Sequence, residues 1–390
     1  MRDPLNSKVR AIKPSGIRKF IDIVKEIDGA ISLGVGEPDF DTPWHIREEG
    51  IYALERGKTF YTSNAGLLEL REEIAKYLER RQGLSYDFKN EILVTIGGSE
   101  AIDAALRAML DAGDEVLIPE PCYVSYVPCV TLADGVPVTI DLKEENSFKL
   151  TREELLGAIT DKTKILIMPF PNNPTGGIMT REDLEAIADV IIEKDLFVIS
   201  DEIYSELTYG RDHVSIASLP GMKERTIVIN GFSKSYAMTG WRLGYACGPE
   251  AILKQMTKIH QFAIMCAPTT SQCAAIEALR NGDEDVLRMR EAYDERRRYL
   301  VTRLNEMGFH TFEPEGAFYV FPSIKHTGMT SDEFATALLK EEKVAVVPGT
   351  AFGDCGEGFL RISYAYSIEN LKTALDRIER FMKNHEYSAS

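Results

Sequence analysis

Short apolar runs alternate with helical segments between residues 91 and 285, and this alternation constrains the fold more than any other feature of the chain. The runs cover residues 92–96, 116–118, 137–140, 165–168, 197–200, 227–229 and 243–246. Such runs are typical of strands buried on both faces, and the helical segments between them provide the crossovers that parallel strands need. The sequence therefore predicts an α/β fold with a mostly parallel seven-stranded sheet between layers of helices.

The flanking segments predict a second, smaller unit. Beyond residue 285 a long charged helix is followed by short apolar runs and a last helix at residues 368–382, a pattern typical of an α+β domain. The first 45 residues are too few to fold alone, although residues 17–27 have the spacing of an amphipathic helix. We therefore expect a large domain at 46–285, a small domain at 286–390, and an arm at 1–45 that packs with the small domain.

Composition excludes several classes of protein. A net charge of −16 argues against nucleic-acid binding, which needs a basic surface to displace counterions from phosphates. The six cysteines form no Cys-x-x-Cys pair and are expected to be reduced core thiols. Neither a signal peptide nor an apolar stretch long enough to span a membrane is present. The expectation is a cytoplasmic protein that binds neither nucleic acid nor membranes.

Chemically useful side chains follow four of the predicted strands. Gly98 belongs to a glycine pair that opens a helix, Asn173 precedes a proline, Asp201 ends a strand with Tyr204 one turn later, and Lys234 follows another strand. Amides at a helix start can bind an anion. Taken singly, each also fits a plain structural role as a turn residue, a helix cap or an exposed loop lysine.

The strand ends give these side chains a common location, because the carboxyl ends of parallel strands meet at one edge of a sheet. Together they would supply an anion site, an amide, a carboxylate, a phenol and a lysine, with Arg242 as a second phosphate ligand. Pyridoxal phosphate needs such a set, since its aldehyde takes a lysine and its ring nitrogen a carboxylate. The sequence therefore predicts a pyridoxal 5'-phosphate site.

With these motifs the chain resembles the class I and II aminotransferases of fold type I, the aspartate aminotransferase family. The resemblance rests on Gly36-Glu-Pro-Asp-Phe, Tyr61-Thr, Asn173-Pro-Thr-Gly, Ser200-Asp-Glu-Ile-Tyr, Ser233-Lys-Ser, Gly240-Trp-Arg and Arg361-Ile-Ser. Within the family the chain is similar to the N-acetyl-L,L-diaminopimelate, aspartate and aromatic aminotransferase branch. The resemblance implies a homodimer with shared active sites that moves an amino group between an L-amino acid and a 2-oxo acid by a ping-pong mechanism, with glutamate and 2-oxoglutarate as one pair.

The resemblance also implies roles around the cofactor ring. Lys234 would be the Schiff-base lysine and the proton-transfer base, and Asp201 would partner the pyridine nitrogen. Asn173 and Tyr204 would donate hydrogen bonds to the phenolic oxygen and so lower the pKa of the imine. Tyr123 would lie over the ring, at a position where many aspartate-specific members have tryptophan, which leaves the choice of substrate open.

By the same resemblance, the phosphate would be bound by Gly98, Ser99, Ser233 and Arg242, and by Tyr61 from the second subunit.

The resemblance further implies that Arg361 clamps the substrate's α-carboxylate, since a planar guanidinium offers two parallel hydrogen bonds. Gly36 would contact the same carboxylate through its backbone, and Asn173 and Tyr123 would also face the substrate.

Two alternatives remain open at this point. One is a carbon–sulfur β-lyase of the same fold and cofactor, and the other is a non-catalytic amino-acid-sensing regulator. A distal carboxylate on the substrate would also need a cation, for which Arg18, Lys19 and residues of the second subunit are candidates. No metal site is expected.

Overall fold

The structure is a computed structural model that describes residues 2–14, 16–17 and 27–387. The amphipathic helix predicted at residues 17–27, with Arg18 and Lys19, lies almost entirely outside the described residues. The strands in chain order are β1 (Ile31–Ser32), β2 (Ile92–Thr95), β3 (Glu115–Glu120), β4 (Val136–Asp141), β5 (Thr163–Met168), β6 (Phe197–Asp201), β7 (Thr226–Gly231), β8 (Gly244–Cys247), β9 (Tyr319–Val320), β10 (Val344–Ala345), β11 (Val347–Pro348) and β12 (Leu360–Ser363). The helices are α1 (Ser7–Ala11), α2 (Trp44–Glu55), α3 (Leu68–Gln82), α4 (Gly97–Met109), α5 (Tyr126–Leu132), α6 (Arg152–Ala158), α7 (Arg181–Glu193), α8 (Glu250–Ala263), α9 (Thr269–Asn281), α10 (Asp283–Glu306), α11 (Ser331–Glu342) and α12 (Ile368–Asn384).

The central element is a seven-stranded sheet with the order β2-β8-β7-β6-β5-β3-β4. Neighbouring strands from β7 to β4 are parallel, whereas β8 runs antiparallel to both β2 and β7. Each apolar run that predicted a strand of this sheet coincides with one of its strands, so the predicted α/β fold is confirmed.

Helices cover both faces of this sheet because its strands alternate their side chains between two cores. Ile199, Ile227 and Ile229 pack on one face against α4, α5 and α8. Val198 and Val228 point to the opposite face, where they pack against α7 and against α3 and α9 respectively. Every residue of β2, β7 and β8 is buried, which explains why these strands lack polar positions facing solvent.

A threonine followed three residues later by Glu or Asp predicts a capping box at a helix start, and three helices begin with one. Thr151, Thr180 and Thr330 each accept a hydrogen bond from the backbone three residues on, where an acidic side chain bonds back to the cap. These reciprocal bonds satisfy backbone donors that would otherwise lack partners at the helix start.

The remaining strands form two small sheets around a separate core. One has the order β11-β12-β9 and is antiparallel, and the other pairs β1 in parallel with β10. Their core includes side chains from α10, α11 and α12. Because β1 belongs to the N-terminal segment, its pairing of Ile31 with Val344 joins that segment to the C-terminal part of the chain. In the part of the chain that the structure describes, no helix is long and apolar enough to cross a membrane.

Candidate active site

A cavity of about 500 Å³ lies at the carboxyl ends of the parallel strands, beneath the small sheets. Its lining contains every site residue predicted from the sequence except Tyr61: Gly36, Gly98, Ser99, Tyr123, Asn173, Asp201, Tyr204, Ser233, Lys234, Arg242 and Arg361. Side chains that are far apart in sequence are therefore brought to one place. Their individual roles stay predictions.

Lys234 lies in the loop after β7, with its amine inside the cavity. Its Nζ donates a hydrogen bond of 2.5 Å to the carbonyl oxygen of Gly36 and lies 5.8 Å from the ring centre of Tyr204 and 5.6 Å from that of Phe318. Burial lowers the pKa of Lys234 to about 8, because removal from water penalises the charged form. Lys234 is therefore a lysine that gives up its proton more easily than one in solution.

Asp201 ends β6 and is only 8 % exposed. Its Oδ2 accepts a hydrogen bond of 2.7 Å from the hydroxyl of Tyr126, and its Oδ1 accepts one of 3.2 Å from the backbone N–H of Ile203. Burial raises the pKa of the carboxyl, while these two hydrogen bonds oppose the rise. A buried carboxylate of this kind is suited to a protonated ring nitrogen, which would replace the lost hydration.

The start of α4 has the features that an anion site needs. Ile96 precedes the helix without a side-chain cap, so the first backbone N–H groups, including those of Gly98 and Ser99, are free to bind a ligand. Gly97 has a φ of +70°, and a side chain there would collide with Arg242, because a Cβ would lie 2.6 Å from its Nη2. Ser233 adds a hydroxyl to the cavity lining. This set of amides, hydroxyls and a cation suits a phosphate.

Arg361 is a buried cation on β12 and is 2 % exposed. Its Nη2 donates a 2.6 Å hydrogen bond to the carbonyl oxygen of Gly34, and its Nη1 donates one of 3.0 Å to Oδ1 of Asn173. Its buried Nε has no partner among the described residues, nor does any carboxylate there form an ion pair with it. Burial lowers the pKa of Arg361. Such a guanidinium is a ready site for an incoming carboxylate.

Tyr319, Tyr126 and Glu37 also line the cavity, although the sequence did not single them out. Tyr319 lies in the apolar run Phe318-Tyr-Val-Phe, where it is indistinguishable from an ordinary core residue. Tyr126 begins α5, three residues after Tyr123, and faces Asp201 only because β3 and β6 lie in one sheet. The Gly36-Glu-Pro-Asp-Phe motif could have drawn attention to Glu37.

Tyr61 lies outside this cavity and is 82 % exposed. Phe60 is 81 % exposed and Phe262 is 86 % exposed. Large aromatic side chains that remain this exposed are typical of an interaction surface. The prediction that Tyr61 serves the site of a second subunit remains a prediction.

The family described as "Aminotransferase class I and II" matches residues 28–378, and the chain belongs to this family. Members of the family are pyridoxal-phosphate enzymes, and the chain is accordingly a transaminase.

Individual relatives carry several different names. The chain is 53 % identical to "Putative aminotransferase YugH" of Bacillus subtilis, over 98 % of this chain and 99 % of that protein. It is 50 % identical to an aspartate aminotransferase of Pyrococcus abyssi, over 97 % of this chain and 98 % of the relative. Among solved structures, the aromatic aminotransferase of Pyrococcus horikoshii superposes with a TM-score of 0.91 at 50 % identity, covering 94 % of this chain and 99 % of the other.

The cavity fits the family's cofactor by the chemistry of its donors. The uncapped start of α4 with Arg242 can take the phosphate, Asp201 can face the ring nitrogen, and Lys234 can reach the aldehyde. Arg361 has no role in this set and can bind the carboxylate of a substrate.

The lowered pKa of Lys234 has a consequence for stability. Below pH 8 the buried ammonium of the cofactor-free protein stays charged, and its burial lowers the free energy of unfolding. Between pH 8 and 10.5 the unfolded chain binds more protons than the folded one, so the free energy of unfolding rises with pH. We expect Lys234→Met to increase the unfolding free energy of the cofactor-free protein at pH 7 by about 1–3 kcal/mol. The gain should shrink as the pH approaches 10.

Urea unfolding at pH 7 and pH 9.5 measures this difference. Lys162→Met, at an exposed lysine, is the matched control and should change little at either pH. A gain for Lys234→Met that is the same at both pH values would contradict the assignment of a lowered pKa.

Proposed function

We propose that the protein is a homodimeric cytoplasmic aminotransferase that moves an amino group between an L-amino acid and a 2-oxo acid by a ping-pong mechanism, with glutamate and 2-oxoglutarate as one pair. The observation that carries this proposal is that one cavity joins a lysine of lowered pKa to a buried arginine that has no carboxylate partner among the described residues. The lysine provides the amine chemistry, and the arginine provides the site for an amino acid's carboxylate.

When bound, pyridoxal phosphate supplies a conjugated ring that takes up the electron pair released at the substrate's α-carbon. Lys234 would hold the cofactor through its Nζ, and the neutral Nζ would also take and return the substrate's α-proton. In the protein without cofactor, a pKa of about 8 leaves part of the Lys234 amine neutral near physiological pH, and the neutral amine is the form that can act as a base. Asp201 keeps the ring nitrogen protonated, which strengthens the electron uptake.

Asn173 and Tyr204 would donate to the phenolic oxygen of the cofactor. Oδ1 of Asn173 already accepts from Arg361, so its Nδ2 is the atom left to donate. The same contact links the cofactor side of the cavity to the substrate side. Tyr123 lines the cavity near Tyr126 and would cover the ring.

The phosphate would be held by the N–H groups of Gly98 and Ser99, the hydroxyl of Ser233 and the guanidinium of Arg242. Tyr61 of a second copy would complete this set. The exposure of the adjacent side chains Phe60 and Tyr61 supports a dimer, because an exposed apolar patch is stabilised when another chain covers it.

The α-carboxylate of the substrate would bind Arg361, with the backbone of Gly36 beside it. The cavity's cations within the described ranges are Lys234, Arg242 and Arg361, and each has a role in this scheme. A second substrate carboxylate would therefore be bound by the segment around Arg18 and Lys19 or by the second copy. Substrates of the aspartate, aromatic and N-acetyl-L,L-diaminopimelate branch are the candidates.

A half-reaction tests the reaction type. Cofactor-loaded enzyme mixed with one amino acid at a time, without any 2-oxo acid, should release one equivalent of the matching 2-oxo acid per site and lose its visible absorption band. We expect glutamate to react. The relative rates of aspartate and phenylalanine should then show which substrate side chains the site prefers.

Continuous release of pyruvate from cystathionine without an acceptor would indicate a β-lyase instead. Bound cofactor without reaction toward any amino acid of the panel would indicate a sensor.

Arg361→Lys separates substrate binding from cofactor binding. Loss of the paired charged hydrogen bonds should weaken the substrate by about 1.5–3 kcal/mol, which is roughly tenfold or more in its dissociation constant. Cofactor affinity should stay within about threefold, because the groups proposed above to hold the phosphate do not include Arg361. The effect is measured by titrating substrate and cofactor into Arg361→Lys and into Arg298→Lys, which changes an exposed arginine and serves as the control. Equal weakening of substrate and cofactor would show that Arg361 is structural.

A further inference from the structure

Tyr319 touches three predicted parts of the active site at once, and it is 1 % exposed. We propose that Tyr319 is a positioning residue of the aminotransferase site: its hydroxyl orients the hydroxyl of Tyr204, and its ring orients the guanidinium of Arg361. This inference rests on the roles proposed above for Tyr204 and Arg361.

The first contact joins two phenols. The hydroxyl oxygens of Tyr204 and Tyr319 lie 2.8 Å apart and share one hydrogen bond. Burial raises the pKa of both phenols, so both keep their protons. Only one of them can donate within the pair. If Tyr319 donates, the hydrogen of Tyr204 is free for the cofactor's phenolic oxygen, and the incoming bond makes Tyr204 a stronger donor.

The second contact is between the ring of Tyr319 and Arg361. The Cζ atom of Arg361 lies 4.5 Å from the ring centre of Tyr319 and 4.8 Å from that of Phe352. The edge of the guanidinium is tied to Gly34 and Asn173. The rings therefore restrict the plane of the group, and a carboxylate needs that plane to be set for paired hydrogen bonds.

The third contact explains why residue 36 is glycine. A Cβ at Gly36 would lie 2.5 Å from the hydroxyl oxygen of Tyr319. The carbonyl of the same residue accepts the hydrogen bond from Lys234. Tyr319 thus packs against the backbone that holds the lysine, and β9 carries this side chain from the small sheet into the cavity.

Tyr319→Phe tests the hydroxyl, because it removes one oxygen and keeps the ring. Tyr204 donating to the cofactor favours the deprotonated form of the visible chromophore, so a weaker donor should raise the pH midpoint of the visible band. We expect a rise of up to about 1 pH unit, which would correspond to complete loss of one neutral hydrogen bond from Tyr204. The measurement needs no substrate.

A double-mutant cycle shows whether this effect passes through Tyr204. In a Tyr204→Phe background, Tyr319→Phe should cause no further shift. An unchanged midpoint in the single variant, or an equal shift in both backgrounds, overturns the relay. If wild-type protein forms no visible band at all, the proposed function fails rather than the role of Tyr319.

The ring is tested with carboxylates that lack an amino group. Succinate and 3-phenylpropanoate are titrated into the cofactor-loaded enzyme. Their affinity for Tyr319→Phe should lie within about twofold of the wild-type affinity. Tyr319→Leu, which loses the ring, should bind them about 2- to 30-fold more weakly. Tyr319→Met replaces the leucine variant if that one does not fold. Equal affinity in all variants overturns the role of the ring, whereas an Arg361→Lys variant with unchanged affinity would show that the proposed clamp itself is wrong.

Discussion

Parallel pairing of buried strands is the constraint on which the site depends, because it puts successive carboxyl ends at one edge of the sheet. In the register of β6 and β7, Asp201 lies beside Ile229, only a few residues before Lys234. Asn173 follows β5 and Tyr123 follows β3, so neighbouring strands deliver side chains from distant parts of the chain. The small sheets close the other side of the cavity with Arg361 and Tyr319.

Charge and burial give this location its chemistry. Lys234, Arg242 and Arg361 line the cavity, against the carboxylates of Asp201 and Glu37. Burial lowers the pKa of Lys234 and of Arg361 and raises that of Asp201, because removal from water penalises the charged form of each group. A phosphate and a carboxylate would offset the cost of the buried cations, and the low local dielectric would strengthen those contacts. The cavity thus combines cationic groups that could bind two anions with an amine of lowered pKa.

The elements that the sequence predicted well are those with a local signal. Apolar runs identified the strands of the large sheet, and threonine followed by an acidic residue identified three helix starts. Strand ends located Lys234 and Asp201 because parallel topology follows from the alternation of runs and helices. Most of these runs needed no tertiary information, since strands buried on both faces are apolar at nearly every position; the edge strand β4, which is largely exposed, is the exception.

Contacts between distant segments had no such signal. Nothing near Tyr319 in the sequence shows that its hydroxyl meets Tyr204 or that its ring lies on Arg361, and the partnership of Tyr126 with Asp201 depends on sheet order. The role of Tyr61 depends on a second chain. Relatives named for aromatic amino acids and for aspartate both match nearly the whole chain, so motifs that name the reaction leave the substrate open.

Borohydride reduction of the cofactor-loaded enzyme, followed by peptide mass mapping, addresses the chemistry of Lys234 itself. Reduction should fix the cofactor irreversibly to the peptide that contains Lys234, and to no other lysine. Lys234→Ala, which still has the anion site and Asp201, should bind the cofactor without any reducible linkage. A stable cofactor adduct on another lysine, or one that persists in Lys234→Ala, would contradict the assignment of Lys234 as the residue on which the reaction depends.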